Sequence, residues 1–103
     1  MFRLINYDLV FKTGLRYQTP HFSFVYTKDS AQANQLGLAI SKKNVNSAVR
    51  RNTCKRVMRE YFRLHQRELP ALQMIALARP SAAVAPKAEL RQCAEKFWNF
   101  LKP

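Results

Sequence analysis

The sequence predicts an α+β fold, in which one small sheet packs against helices within a single domain spanning residues 1–103. Three observations support this prediction. Residues 47–69 contain no glycine or proline and are dominated by helix-forming side chains. Apolar runs of strand length lie on both sides of that segment. At 103 residues, the chain has the length of one ordinary domain with one hydrophobic core.

The N-terminal part of the chain is predicted to contain a helix followed by strands. Apolar residues recur at helical spacing over residues 5–12, and the pattern stops near Gly14. Residues 22–26 alternate aromatic side chains with smaller ones, and residues 36–41 form a second run of strand length. A further short strand fits at residues 15–19.

A long helix is predicted to begin near Ser47 and to continue to about Leu69, where Pro70 ends it. Asn44 and Asn46 precede this helix and offer side chains that can cap its first backbone N–H groups. Because nothing in the segment breaks a helix, it is the longest regular element that the sequence predicts.

The C-terminal part adds one strand and one helix. Residues 73–78 are a short apolar run of strand length, and residues 79–86 have the composition of a connection within the domain. Pro86 suits the first turn of a last helix. The apolar stripe of that helix consists of Leu90, Cys93, Ala94, Phe97 and Leu101.

Positive charge is the most unusual property of the composition. Eighteen Lys and Arg residues against six Asp and Glu residues give a net charge of +12. Residues 42–67 hold nine basic residues and one acidic residue, which is +8 in this segment against +2 in each flanking part. Such a bias predicts a polyanionic partner, either nucleic acid or an anionic membrane surface, and argues against a small neutral metabolite.

The basic residues of the long helix share one face. A helical wheel of residues 47–69, with about 100° per residue, predicts a core face formed by Cys54, Val57, Met58, Tyr61, Leu64 and His65. The opposite face holds Arg51, Lys55, Arg56, Arg59, Arg63 and Arg67, with Asn52 at its centre. A solvated helix face is the alternative interpretation of these charges. Since like charges four residues apart destabilise a helix, we expect the phosphates of RNA or DNA to offset their repulsion.

The sequence favours neither a membrane span, nor an exported protein, nor a catalytic centre in this chain. Its apolar runs are too short for a membrane helix, and its N-terminus lacks the apolar stretch of a signal peptide. Cys54 and Cys93 are predicted to be buried free thiols in a cytoplasmic protein. His21 and His65 are far apart, and no acids pair as a metal site requires. Any chemistry is therefore expected to belong to a partner.

Two motifs flank the start of the long helix. The first consists of Gly37, Ser41, Lys42 and Lys43, and the second of Arg51, Asn52, Lys55, Arg56, Arg59, Glu60, Phe62 and Arg63. Together they closely resemble the protein component of bacterial ribonuclease P. That family has a strand ending in Gly-x-x-Val/Ala-Ser-Lys-Lys, then Arg-Asn-Arg-x-Lys-Arg-x-x-Arg-Glu-x-Phe-Arg on a long helix. Nearly the whole chain is covered, since Tyr7, Val10, Phe11 and Gly14 resemble the family's N-terminal Phe-x-x-Val-Phe-x-x-Gly element.

The resemblance implies an α-β-β-β-α-β-α fold with a four-stranded sheet, similar to domain 2 of ribosomal protein S5 and with a left-handed βαβ crossover. It implies a non-catalytic subunit that joins one catalytic RNA, whose magnesium ions cleave precursor tRNA at its five-prime end. Neither a membrane nor an obligate protein partner is implied. The predicted contacts with the catalytic RNA are Lys42, Lys43, Arg50, Arg51, Asn52, Lys55, Arg56, Arg59 and Arg63.

The family also holds the single-stranded leader of precursor tRNA in a cleft between the sheet and the N-terminal helix. Tyr7, Phe11, Lys12 and Val25 are the predicted leader contacts, because aromatic side chains beside positive charge suit a single strand. Packing is an equal alternative for Phe11. In the strand at residues 22–26, the aromatic face is the preferred core face, and the opposite face is the alternative.

Thr53 is the main departure from the family, because it occupies the third position of the Arg-Asn-Arg motif. Arg50 precedes the motif as an extra cation and offers a partial replacement. A ribosomal or other basic RNA-binding protein without a role in cleavage is the alternative function. A DNA-binding helix-turn-helix module and a membrane-surface helix fit less well, because strands flank the basic helix and the core needs its apolar face.

Overall fold

The computed structural model describes residues 7–27, 35–68 and 72–102. Within them, helices and strands follow one another as α-β-β-β-α-β-α, which confirms the predicted fold class. The helices are α1 (Tyr7–Thr13), α2 (Ala48–His65) and α3 (Lys87–Leu101), and the strands are β1 (Leu15–Gln18), β2 (Phe22–Thr27), β3 (Gln35–Ala39) and β4 (Gln73–Ala78). Short 3₁₀ turns lie at Gln66–Glu68 and Pro80–Ala83. In these described parts, no helix has the length and apolar character that a membrane span needs.

Most predicted elements have counterparts with similar bounds. The strand predicted at residues 73–78 is β4, and the further strand considered at residues 15–19 is β1. The first two residues of the helix predicted at 5–12 lie outside the described residues, as does the predicted stop at Pro70.

The four strands form one sheet in the order β1-β2-β4-β3. β2 pairs antiparallel with both β1 and β4. β3 pairs parallel with β4, and a parallel pair needs a crossover connection, which here contains α2. The long helix is therefore carried across one face of the sheet and buries one of its own sides there.

α2 and α3 pack on the sheet face that carries Phe22, Phe24 and Tyr26. All three aromatic side chains are buried, which confirms the preferred core face. The ring of Phe24 stacks on the ring of Phe97 from α3, with 4.2 Å between their centroids. Aromatic packing of this kind adds to the burial of apolar surface that stabilises the core.

α3 begins directly after Pro86, its N-cap residue. Leu90, Cys93, Ala94 and Phe97 are buried as predicted, and so is Trp98, which the predicted stripe omits. Trp98 Nε1 donates a hydrogen bond of 3.0 Å to the carbonyl oxygen of His65 at the end of α2. Cys54 and Cys93 are buried free thiols, as predicted, and burial raises the pKa of the Cys54 thiol.

The N-cap of α2 is Ser47, and the predicted caps Asn44 and Asn46 are wrong. The Ser47 hydroxyl accepts a hydrogen bond of 3.3 Å from the backbone N–H of Arg50. Asn44 instead donates from Nδ2 to the carbonyl oxygen of Ala78, 3.0 Å away at the end of β4. Its amide therefore attaches the loop before α2 to the sheet.

The buried side of α2 differs from the helical wheel at one edge. Cys54, Val57 and Met58 are buried as predicted. Leu64 is 65% exposed, so its predicted place in the core is wrong. Phe62, which the wheel leaves outside the core face, packs against the core. The side of α2 that faces the core is therefore rotated, relative to the helical wheel, so that it includes Phe62 and excludes Leu64.

α1 packs on the opposite face of the sheet. Val10 of α1 contacts Val25 of β2 and Ile75 of β4 in a small second core. Gly14 follows the helix, and its backbone N–H donates to the carbonyl oxygen of Val10 at 2.7 Å. A Cβ atom at Gly14 would overlap that oxygen and lie 2.8 Å from Val25 Cγ1. Glycine is therefore required where the chain turns from α1 into the sheet.

Candidate nucleic-acid interface

The exposed face of α2 presents cations without acidic partners. Asn52, Arg56, Arg59 and Arg63 are exposed, and Lys55 is half-buried. No ion pair neutralises these cations within residues 7–27, 35–68 and 72–102. Because Lys55, Arg59 and Arg63 repeat every four residues, their charges line one side of the helix. This side can attract a polyanion that follows the helix for several turns.

A shallow depression of about 260 Å³ lies on this exposed face. Its lining consists of Asn52, Lys55, Arg56, Arg59 and Glu60, and we call it the α2 depression. These residues come from consecutive turns of α2, on which residues three or four positions apart are neighbours. The depression therefore combines cationic donors with the Asn52 amide, which can both donate and accept, and with the Glu60 carboxylate, which accepts.

Arg50 lies apart from the exposed face and makes intramolecular hydrogen bonds. Its Nε and Nη2 donate to the carbonyl oxygen of Ala82 at 3.2 Å and 2.9 Å, and Nη2 also donates to the carbonyl oxygen of Ala85. The thiol of Cys54 approaches the same Ala82 oxygen at 3.9 Å. The structure thus gives Arg50 an anchoring role between α2 and the turn after β4. Its contact with RNA stays a prediction.

Arg51 combines an anchoring role with partial exposure. Its Nη1 donates to the carbonyl oxygens of Val45 at 3.0 Å and Asn46 at 2.8 Å, so it fixes the loop that precedes α2. Its remaining N–H groups meet no acceptor in the described part of the chain. One end of this guanidinium therefore orders the protein, and the other end is left for a ligand.

Lys42 and Lys43 are exposed in the turn between β3 and α2. The Ser41 hydroxyl accepts a hydrogen bond of 3.2 Å from the backbone N–H of Asn44, and the N–H of Val45 donates to the Ser41 carbonyl oxygen at 2.9 Å. These bonds fix the backbone of the turn, so both lysines project from a defined position beside the start of the basic helix.

Thr53, the departure from the family motif, is half-buried. Its hydroxyl donates to the carbonyl oxygen of Val49 at 3.1 Å, a bond within α2 itself. The position therefore adds no charge to the exposed face. Arg50 does not replace the missing cation there, because its guanidinium is directed at Ala82 and Ala85.

A second candidate surface lies at α1. The side chains of Tyr7 and Phe11 are each 38% exposed, and their ring centroids are 6.5 Å apart. Lys12 is exposed next to Phe11. The Tyr7 hydroxyl accepts a hydrogen bond of 3.2 Å from the backbone N–H of Leu38, which attaches α1 to the edge strand β3. Three of the four predicted leader contacts are thus brought together.

The fourth predicted leader contact, Val25, needs correction. Its side chain is fully buried between α1 and the sheet, against Val10 and Ile75. The physical reason is that β2 is an inner strand, and α1 covers it on the face opposite the main core. No surface of Val25 is therefore left for a ligand.

Strand register places Ser23, which lies on the face opposite the aromatic side chains, beside three surface residues that the sequence did not suggest. Gln18 pairs with Ser23, Ser23 pairs with Leu77, and Leu77 pairs with Ala39. This row crosses all four strands on the same face as Val25, because alternate residues of a strand share a face. Gln18 is exposed and the other three are half-buried. We call these four residues the open sheet row; the strand order that creates it has no local signal in the sequence.

His21, His65 and Glu68 make contacts within the protein itself. His21 Nδ1 lies 2.8 Å from the hydroxyl of Ser81, and His65 pairs with Glu68. Glu68 also pairs with Lys102 after α3, and the hydrogen bonds from Lys102 and His65 hold the pKa of its carboxyl below the usual value. Within the described residues, no three His, Cys, Asp or Glu side chains are grouped so that they could hold a metal ion.

Comparisons with known proteins identify the family and the fold to which this chain is similar. The Ribonuclease P family model matches residues 3–102. The ribonuclease P protein component of Aliivibrio fischeri is 36% identical over 96 residues, covering 93% of this chain and 82% of that protein. That of Proteus mirabilis is 36% identical over 94 residues, covering 91% and 79%. The Staphylococcus aureus RNase P protein structure superposes with a TM-score of 0.81 at 26% identity, covering 95% of this chain and 92% of that one. The Thermotoga maritima RNase P protein, at 22% identity and a TM-score of 0.83 over 100% of both chains, shares the fold.

Proposed function

The chain belongs to the family of bacterial ribonuclease P protein components, and on that premise we propose how it serves the holoenzyme. As a member, it is a subunit of the endoribonuclease ribonuclease P and takes part in tRNA processing. In our proposal, the exposed face of α2 binds the catalytic RNA and the surface at α1 binds the five-prime leader of precursor tRNA. The chain thereby assists removal of the leader in the cytoplasm.

The observation that best supports the first contact is the unpaired charge on α2. Arg56, Arg59 and Arg63 are exposed and have no acidic partner within the described residues. Arginine offers a planar fork of donors that fits phosphate oxygens. Lys42 and Lys43 would extend this contact beyond the start of the helix, and Asn52 can donate to or accept from a ribose or a base.

For the leader, the exposed rings of Tyr7 and Phe11 beside Lys12 support the proposal. Single-stranded nucleic acid binds where bases can stack on aromatic rings and phosphates can meet positive charge. The open sheet row continues on the same sheet face, and we propose that Ser23 and Leu77 replace Val25 as the sheet's contribution to this site.

We further propose that the chain performs no catalytic step itself. Magnesium ions are implied by the family resemblance, but the acids within the described residues do not fit a magnesium site, because they are dispersed. The ions would be held mainly by the RNA. What this chain contributes is positive charge that draws two RNA molecules together and offsets their mutual repulsion.

Reconstitution tests the proposal against its alternative, a basic RNA-binding protein without a role in cleavage. The full chain is added to its own catalytic RNA at a magnesium concentration that is too low for the RNA alone. We expect restored cleavage of precursor tRNA with the wild-type chain and much weaker restoration with a triple variant, Arg56→Ala, Arg59→Ala and Arg63→Ala. A wild-type chain that binds RNA but does not restore cleavage would favour the alternative.

A further inference from the structure

Glu60 is the one acidic residue among the nine basic residues of segment 42–67. It is exposed and lines the α2 depression. Arg56 lies four residues before it and Arg63 three residues after it, which are the spacings of helical ion pairs. Even so, Glu60 forms no ion pair within the described part of the chain. Its carboxylate is therefore left free on a face that otherwise attracts anions.

A free carboxylate at this place repels phosphates, so it opposes RNA binding unless it meets a hydrogen-bond donor. The donors of RNA are the N–H groups of the bases and the 2′-hydroxyls. A carboxylate has two acceptor oxygens and no donor, and its strongest contacts are bidentate. Among the four bases, guanine presents two adjacent donors, N1–H and N2–H, on its Watson–Crick edge. Because base pairing uses both donors, the guanine must be unpaired.

We propose that Glu60 accepts hydrogen bonds from N1–H and N2–H of one unpaired guanine that lies in the α2 depression. Lys55 and Arg59 line the same depression and would contact the phosphates on either side of that nucleotide. A guanidinium plane, such as that of Arg56, can stack on the base. This inference rests on the proposed contact between α2 and RNA, and it makes Glu60 a residue that determines specificity.

The volume of the depression is compatible with one base. At about 260 Å³ it is slightly smaller than ordinary small-ligand sites, whose volumes begin at ~300 Å³. Because all of its lining side chains belong to α2, it is an open groove on one helix. A single base can therefore lie against it while the neighbouring nucleotides continue along the basic face.

The test uses the full chain and uridine decamers with a central guanosine, inosine or adenosine, with affinities measured by fluorescence anisotropy. For the wild-type chain we expect guanosine to bind about tenfold more tightly than adenosine, with inosine between them because it lacks the 2-amino group. In Glu60→Gln the preference should fall below about twofold, since an amide offers one acceptor and a repelling N–H₂. Glu95→Gln removes an equal charge from an exposed position on α3 and should keep the preference.

The outcomes separate this inference from the proposed function. If all decamers bind the wild-type chain equally but with steep salt dependence, the guanine contact is wrong and the RNA-binding face stands. If no decamer and no catalytic RNA binds with salt dependence, both are wrong. If Glu60→Gln weakens every decamer alike and only when magnesium is present, Glu60 acts through a cation, and the guanine contact is overturned.

Discussion

The guanidinium of Arg50 and the carbonyl oxygen of Ala82 join α2 to the turn that follows β4, through two hydrogen bonds of 3.2 Å and 2.9 Å. This contact joins residues 32 positions apart. It sets the position of the N-terminal end of α2, and therefore of the basic face, relative to the sheet.

Removing this contact should lower stability. Because hydrogen bonds from a charged group are among the stronger ones, Arg50→Ala should reduce the free energy of unfolding by about 2 kcal/mol. Urea unfolding followed by circular dichroism measures the loss. Arg56→Ala is the matched control: its side chain is exposed, so its effect should stay within about 0.5 kcal/mol. If Arg50→Ala unfolds like the wild type but binds RNA with a shallower salt dependence, Arg50 contacts RNA after all.

Replacing Arg59 and Arg63 together with alanine should weaken binding to the catalytic RNA without unfolding the protein. Both side chains are exposed, so the melting temperature should barely change. The slope of log affinity against log salt should become shallower by about 1.5, since each lost phosphate contact accounts for about 0.7–0.9.

The control for this double variant is Arg91→Ala with Lys96→Ala, which removes the same charge from exposed positions of α3. An equally large change of slope in the control would mean that overall charge, rather than the face of α2, determines binding.

Phe11→Ala should weaken binding of precursor tRNA to the holoenzyme by about tenfold, because one stacking contact with a base is lost. Binding of mature tRNA, which has no leader, should be unchanged. Leu15→Ala is the control, since Leu15 is also an exposed apolar residue but pairs with Tyr26 and so shares the sheet face of the main core. Equal losses for precursor and mature tRNA would assign Phe11 to packing.

Gly14→Ala should both destabilise the fold and disturb the surface at α1. The added Cβ would overlap the carbonyl oxygen of Val10, so α1 must shift or the turn must open. We expect the free energy of unfolding to fall by about 1–3 kcal/mol, together with weaker discrimination between precursor and mature tRNA. Thermal unfolding and the two binding assays measure these effects. Lys12→Met keeps the helix and is the control for stability; a wild-type melting curve for Gly14→Ala would contradict the close approach.

Glu68 should make the stability of the fold sensitive to acid. Its pKa in the folded protein is lowered, first by the hydrogen bond from Lys102 and then by that from His65. A lowered folded-state pKa stabilises the protein above the unfolded-state pKa, and this stabilisation is lost as the pH falls through the folded-state value. Glu68→Gln should therefore be less stable than the wild type at neutral pH.

Urea unfolding from about pH 7 to about pH 2 would measure this effect, since the range spans the ordinary pKa of a glutamate, about 4.3. The two proteins should converge in acid. Glu60→Gln is the matched control, because Glu60 has no ion-pair partner within the described residues. A constant difference between Glu68→Gln and the wild type at every pH would mean that the pairs with Lys102 and His65 do not stabilise the fold.

Local signals were sufficient to predict most elements. The apolar run at 73–78 and the stripe after Pro86 give β4 and α3 nearly residue by residue, because strand length, helical period and proline are properties of adjacent residues. The exposed cations of α2 follow from the same period. Leu64 was misplaced because a wheel gives the angle between side chains and not the direction in which neighbouring helices lie.

Contacts between residues distant in the sequence determine the surroundings of those side chains that were predicted incorrectly or not at all. Val25 is buried because α1 lies over β2, and Arg50 is engaged because the turn at residues 80–85 is folded back onto α2. Ser23 and Ala39 share a surface because β4 lies between their strands. Neighbouring residues in the sequence do not predict the order of strands in a sheet. Nor do they predict which distant carbonyl oxygen an arginine side chain will contact.

The hydrogen bond between the Tyr7 hydroxyl and the N–H of Leu38 has a consequence for solubility. β3 is an edge strand, and the open N–H and C=O groups of such an edge are a template on which another chain can add a strand. The Tyr7 hydroxyl accepts a hydrogen bond from one of these donors, the N–H of Leu38. We therefore expect the tyrosine to hinder edge-to-edge aggregation while the protein is free of RNA.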